Sequence, residues 1–96
     1  MLPFELSKLA LKDINSLWEY TANHWSAFQA DNYYKEIFKA IDLICSNPEG
    51  GKSIAEVKME HRAIFVKSHM IIYKIQTDKI LIDRILHQRM DIESQL

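Results

Sequence analysis

The sequence has little of what secreted, membrane-spanning or nucleic-acid-coating proteins rely on. Among its 96 residues are one cysteine, two glycines and two prolines. Cys45, being alone, cannot close an internal disulfide, so the expected compartment is the reducing cytoplasm and the expected role of the thiol is to fill a helix face. No stretch approaches the roughly 18–20 uninterrupted apolar residues of a membrane-spanning helix. The opening Met-Leu-Pro-Phe-Glu-Leu lacks the cationic segment, apolar run and cleavage site of a secretory leader. Nor does one sign of charge dominate: 12 Lys and Arg stand against 13 Asp and Glu, with a pI near 6.4. A protein that lives on nucleic acid carries a basic field of one sign, so nonspecific nucleic-acid binding is disfavoured.

Catalytic signatures are missing as well. There is no HExxH, GxSxG, CxxC or P-loop, and Gly50-Gly51 alone makes no phosphate cradle. His24, His61, His69 and His87 have no metal-ligand spacing, and only Cys45 could join them. No metal and no cofactor is expected.

What is present is a chain with 48% hydrophobic residues, enough for one small core. Residues 1–96 read as a single domain, with 88–96 a C-terminal tail. Pro3-Phe4-Glu5-Leu6 has the extended character of a brief edge strand, because Pro3 restrains its own φ and its predecessor. Ser7 is a candidate N-cap. After it Ala10, Ile14, Leu17, Trp18, Thr21, Ala22 and Trp25 fall on one face of a helix, which places both tryptophans on the core stripe, with partial exposure and an interface role the alternative for Trp25 at the hairpin tip. Ser26, with Gln29 three residues later, opens a second helix with almost no loop before it. Its apolar face is Ala30, Tyr33, Tyr34, Ile37, Phe38, Ile41, Ile44 and Cys45. Two helices joined this tightly fold back as an αα-hairpin. Asn47-Pro48-Glu49-Gly50-Gly51 ends the helical region, and residues 52–60 carry no clear pattern.

From Arg62 the period changes to that of strands. Arg62–Val66, His69–Gln76 and Ile80–His87 are rich in Ile, Val, Phe and Tyr and predict a three-stranded antiparallel meander. The fold class is therefore α+β: a short N-terminal strand, an αα-hairpin, then the meander. Alternation puts Met70 and Ile72 opposite Ile71, Tyr73 and Ile75, and Ile80 and Ile82 opposite Leu81 and Ile85. Both faces of the sheet are thus apolar, and the hairpin can cover only one. The tail offers Met90, Ile92 and Leu96 for the other, so another chain is expected to cover it. Charge is also uneven: residues 1–49 hold four Lys and seven acids, residues 50–96 eight basic residues and six acids.

Several of these positions together resemble the ParE toxins of the ParE/RelE superfamily of bacterial toxin–antitoxin pairs. They are Ala10-Leu11-Lys12-Asp13, Trp25, Tyr33, Asn47-Pro48, Arg62, the strand His69-Met70-Ile71-Ile72-Tyr73, and Arg84-Ile85-Leu86-His87 followed by Arg89 and Asp91. The resemblance runs from about Leu6 to Asp91, and the last element is its most specific part. Ser26 stands where Gly often follows the Trp, and Lys67-Ser68 occupies a hairpin turn where Gly is common, which suggests a wider turn here. The resemblance implies a cytoplasmic toxin that binds DNA gyrase and stabilises its cleaved-DNA state without chemistry of its own. It also implies a cognate antitoxin that lays a disordered segment across the toxin. Direct contact with nucleic acid is expected only through that antitoxin.

On this reading Arg84, His87, Arg89, Met90 and Asp91 face the target, and Arg62, Ile72 and Arg84 meet the antitoxin. Simpler roles stand beside these. Arg84 can pair with an acid, His87 can cap the strand exit, Arg62 can pair on the surface, and Arg89 and Asp91 can be a solvated tail. Arg84 and His87, three apart on one strand, point to opposite faces. Two other functions remain: ribosome-dependent RNA cleavage of the RelE kind, for which His87, Arg62 and Arg84 are suitable residue types, and an inactive relative serving as a regulatory binding partner. The first fits poorly with the near-neutral charge, and the exit His87-Gln88-Arg89-Met90-Asp91 replaces the Tyr-bearing end typical of those nucleases.

Overall fold

The computed structural model describes residues 1–90 and 92–96. The chain runs β1 (Phe4–Leu6), α1 (Lys8–His24), α2 (Ala27–Ser46), a 3-10 turn (Pro48–Gly50), β2 (Lys52–Ser53), β3 (His61–Val66), β4 (His69–Ile75), β5 (Ile80–His87) and a short helical turn α3 (Ile92–Gln95). The sheet order is β1-β5-β4-β3-β2. β1 lies parallel to β5, and the other pairings are antiparallel. The α+β expectation holds, and the meander gains a strand on each side.

Both helices begin where hydroxyls can satisfy their first N–H groups. Ser7 Oγ accepts the Ala10 N–H at 3.0 Å, and Ser26 Oγ accepts that of Gln29 at 3.1 Å. Ser7 also ties the helix to the sheet: its N–H donates to the Ile82 carbonyl (2.9 Å) and its hydroxyl to that of Asp83 (2.6 Å). β1 ends opposite Ile82. Beyond that point α1 supplies polar partners to the outer edge of β5, which would otherwise be open.

The hairpin packs Ala10, Ile14, Ile37, Ile41, Ile44 and Cys45 against Ile71, Tyr73, Ile80, Ile82 and Ile85. Burial pushes the Cys45 thiol pKa up, in keeping with an inert core group. Tyr73 carries a polar handle through this core. Its hydroxyl donates to the Pro48 carbonyl (2.6 Å) and accepts the Gly51 N–H (3.0 Å), fastening the 3-10 turn to the sheet. A Cβ on Gly51 would collide with that hydroxyl, which is why the backbone can approach only as glycine.

Four expectations change. Ile82 and Ile85 share the helix-facing core instead of pointing oppositely, because the β4–β5 register shifts between Ile72 and Tyr73: Tyr73 pairs with Ile82, but Ile72 with Arg84. The second face of the sheet is covered in large part by the chain itself, since Ala63, Met70, Ile72 and Leu86 are buried with Ile54 and packed by Ile92 and Leu96, and Phe65, opposite Met70, is what stays exposed there. The unpatterned 52–60 segment therefore supplies a lid residue. The β3–β4 turn is not widened: Val66 pairs directly with His69, and Lys67 adopts φ 53° where glycine would be at ease. Finally, Tyr34 is exposed and not part of the core, and Trp25, 71% exposed, takes the alternative of an open hairpin tip over the core stripe.

Candidate functional site

Two arrangements on β5 organise the residues singled out in the sequence. The first centres on Arg84. Its Nε and Nη2 donate to Asp13 Oδ2 and Oδ1 at 2.8 and 3.0 Å, and its Nη1 donates to the Gln95 carbonyl at 3.1 Å. Asp13 Oδ2 also accepts the Ile85 N–H at 2.9 Å. Both side chains are largely sheltered, and the hydrogen bonds to Asp13 raise the guanidinium pKa above its already high value. Arg84 thus joins α1, β5 and the tail, and pairing with an acid describes it.

Arg62 is likewise engaged. Its Nη1 donates to the carbonyls of Glu49 (3.2 Å) and Gly51 (2.8 Å), bracing the turn after α2. Arg62 and Arg84 therefore serve separate structural partners and do not form a joint anion site. Ile72 is fully buried in the far-face cluster. Asp91 lies outside the described residues.

The second arrangement is an open groove of about 1100 Å³ between the tip half of the hairpin and the adjoining ends of β4 and β5. Leu17 and Ile85 give it apolar walls, Tyr20 and Trp25 an aromatic rim, and His87, Arg89 and Met90 line it from the strand exit. Three of the five target-facing candidates are thus brought together on one surface. Arg89 and Met90 are exposed, and the Arg89 N–H donates to His87 Nδ1 at 3.1 Å.

His69, Tyr33 and Lys67 complete the groove and were not singled out as site residues. His69 pairs directly with His87 across the β4–β5 ladder, and their rings meet edge to face with centroids 5.2 Å apart. Tyr33 Oη lies 2.6 Å from His69 Nδ1 and accepts the Ser68 N–H at 3.2 Å. Burial, and then the neighbouring His87, lowers the His69 pKa from 6.5 to about 4, so the ring is neutral at physiological pH. Burial raises the Tyr33 pKa and keeps its hydroxyl protonated. A signal for the His pair was available: the predicted hairpin, closed by a turn at residues 77–79, has His69 and His87 at its two open ends.

Among the described residues no three His, Cys, Asp or Glu side chains are grouped to hold a metal. No helix among them is long and apolar enough to cross a membrane.

Comparison with known proteins gives a consistent picture. The profile of the family described as "ParE toxin of type II toxin-antitoxin system, parDE" matches residues 4–92. The chain is 32% identical over 92 residues to Toxin ParE1 of Mycobacterium tuberculosis, covering 95% of this chain and 94% of the relative. It is 29% identical over 96 residues to Toxin ParE1 of Caulobacter vibrioides, covering 100% of this chain and 99% of the relative. A solved structure described as "Chromosomal ParDE TA system from P. aeruginosa" superposes with a TM-score of 0.79 at 12% identity, covering 91% of this chain and 96% of that one, and so shares the fold.

Proposed function

Because this chain belongs to the ParE toxin family of type II toxin–antitoxin systems, we propose that it inhibits DNA gyrase by binding and stabilising its cleaved-DNA state, and that a cognate antitoxin neutralises it. The observation that carries this reading is the convergence of His87, Arg89 and Met90 on one groove with the exposed Trp25. An exposed aromatic beside a flexible cation and a thioether is the composition of a protein-recognition surface. The toxin acts by binding alone: it favours one state of its target and so shifts that target's equilibrium. Asp91 extends the same exit in sequence.

Absence of chemistry is supported by the placement of the residues that RNA cleavage would need. His87 faces the groove, Arg62 is fixed to the Glu49 and Gly51 carbonyls, and Arg84 is fixed to Asp13. Neither arginine therefore stabilises charge on a phosphorane near His87, and Lys67 and Arg89, which share the groove with His87, serve the recognition surface in this reading.

The antitoxin has two surfaces to use. The hairpin groove is open and apolar-walled, with Lys67 and Arg89 to meet acidic residues. On the far sheet face Phe65 is exposed but Ile72 is covered, so contact with Ile72 requires Ile92 and Leu96 to lift, and Arg84 would then lose its Gln95 acceptor. Arg62 stands on that route as the brace of the preceding turn. The Pseudomonas neighbour is described as a ParDE system, which supports a partner of this kind. Inducible expression in a bacterium tests the function as a whole. Growth arrest with linearised plasmid DNA, relieved by the co-expressed antitoxin, is expected. Growth arrest with intact DNA and cleaved messenger RNA would overturn the reading.

A further inference from the structure

β1 is an outer strand of the sheet and pairs on one side, with the start of β5. The Pro3 carbonyl accepts the Ile80 N–H and the Ser7 N–H donates to the Ile82 carbonyl, both at 2.9 Å. Strand alternation therefore turns the N–H and C=O of Glu5 toward β5 and those of Phe4 and Leu6 outward, to the open side. The helix side of this edge is aromatic. The Phe4 ring lies 6.0 Å from that of Phe38, which lies 4.7 Å from that of Tyr34 on the same helix. Phe4 and Tyr34 are 36% and 40% exposed, so an apolar run open to solvent continues from the strand edge onto α2. On the opposite side of the strand Lys79 and Glu5 meet at 3.3 Å. Among the described residues, none of these lines the groove, and β1 lies beside the start of β5, away from the strand exit.

We propose that this edge pairs with a second copy of the chain, β1 antiparallel to β1 across a two-fold axis, so that one sheet runs through both copies and the aromatic run of one meets its image on the other. The layered character of the surface selects this occupant. A lone extended peptide would satisfy Phe4 and Leu6 but leave Tyr34 and Phe38 on α2 uncovered, whereas a second copy brings a helix together with its strand. The surface is also complementary to itself. Its outward donors and acceptors alternate as antiparallel pairing requires, and each copy offers Glu5 and Lys79 to the base and acid of the other. Pro3 removes no donor from the open side, because its backbone faces β5. An edge of three residues forms few hydrogen bonds. So small a contact falls short of a standard interface of about 1,600 Å², and the expected dimer is weak and reversible, with Kd on the order of 100 µM. It closes as a dimer, since the pairing uses up the edge that makes it. The groove stays open, and the pairing stands independently of gyrase inhibition.

The test is sedimentation velocity of the purified full chain from about 10 to about 500 µM, with amide hydrogen exchange measured at both ends of that range. The expected result is a monomer that converts to a dimer and to nothing larger. Exchange at Phe4 and Leu6 should slow by about threefold at the higher concentration, while exchange at Glu5, whose N–H faces β5, stays unchanged. Tyr34→Lys alters an exposed helix position, leaves the circular dichroism spectrum as it is, and should weaken the dimer at least about tenfold. Phe4→Ser should do the same, and Tyr34→Lys decides the matter if that variant does not fold. A chain that stays monomeric at about 500 µM, assembly beyond a dimer, a dimer that survives Tyr34→Lys, or one that leaves exchange at Phe4 and Leu6 unchanged would overturn the proposal.

Discussion

Asp13 and Arg84, 71 residues apart in the chain, are joined by two parallel hydrogen bonds of 2.8 and 3.0 Å, and the same carboxylate holds the Ile85 N–H. One side chain thereby closes the edge of β5 that β1 leaves uncovered and neutralises the guanidinium beneath the tail.

Asp13→Ala should destabilise the fold by about 2–4 kcal/mol, since it strands a sheltered cation and an edge N–H together. Asp13→Asn keeps one acceptor and should lose less. Urea unfolding monitored by circular dichroism measures both. Charge reversal at Arg84 acts first on the fold by the same route, so any loss of antitoxin binding in that variant has to be read against its unfolding curve.

His69 makes stability depend on pH in a defined direction. Its folded pKa of about 4 lies below the ordinary 6.5, so the unfolded chain takes up the proton first as pH falls. The stability is fully present above about 6.5, declines between about 6.5 and 4, and is lost below that; the full loss is on the order of 2–3 kcal/mol. Subtracting the curve of His69→Gln from that of the wild type isolates this contribution from the carboxylates. A flat difference from pH 7 to 4 would contradict it.

The helices and main strands were legible because their signals are local. Ser7 and Ser26 cap as their hydroxyls suggest, and the predicted strands match the observed ones to within about one residue. What escaped is set by non-local matches. The register shift opposite Ile72 depends on how β5 meets both β4 and α1, and without it alternation misplaces Ile85. The lid over the far face comes from Ile54 and the tail, each a single apolar residue among polar ones, a pattern too sparse for periodicity to reveal. Within the site, Arg84, His87 and Arg89 were identifiable as residue types, but only the fold separates the engaged Arg84 from the groove-lining His87 and Arg89. Tyr33 was hidden because a core tyrosine looks ordinary until it meets its partner, whereas the facing of His69 and His87 could be read from the open ends of the predicted hairpin.

The lid itself is testable. Replacing Ile92 and Leu96 with serine should cost about 1–3 kcal/mol, because both pack on otherwise buried Ile72, Met70 and Leu86. The variant should also bind a hydrophobic dye that the parent excludes. Unchanged stability and dye binding would mean that the tail does not close this face in solution. For the same reason deletion of residues 88–96 confounds activity with stability, and substitutions at Arg89 and Met90 are the cleaner probes.

Gly51→Ala should destabilise by about 1–3 kcal/mol through collision with the Tyr73 hydroxyl. Tyr73→Phe in the same chain removes the tightest contact, that with the hydroxyl, though Cε1 and Cζ still stand 2.9 Å from the new Cβ, and it leaves the Gly51 N–H and the Pro48 carbonyl without their partner. The double variant should therefore be more stable than the sum of the single losses predicts, a coupling that a double-mutant cycle of thermal unfolding reads directly.

The central claim is tested most directly with purified gyrase, DNA and ATP, adding the folded chain alone and then with its antitoxin, and scoring supercoiling and trapped cleavage together. The account predicts loss of supercoiling with accumulation of cleaved DNA, reversal by the antitoxin, and about tenfold or greater weakening in a folded Arg89→Ala/Met90→Ala variant. Normal supercoiling and no trapped cleavage in the presence of folded wild-type chain would contradict it.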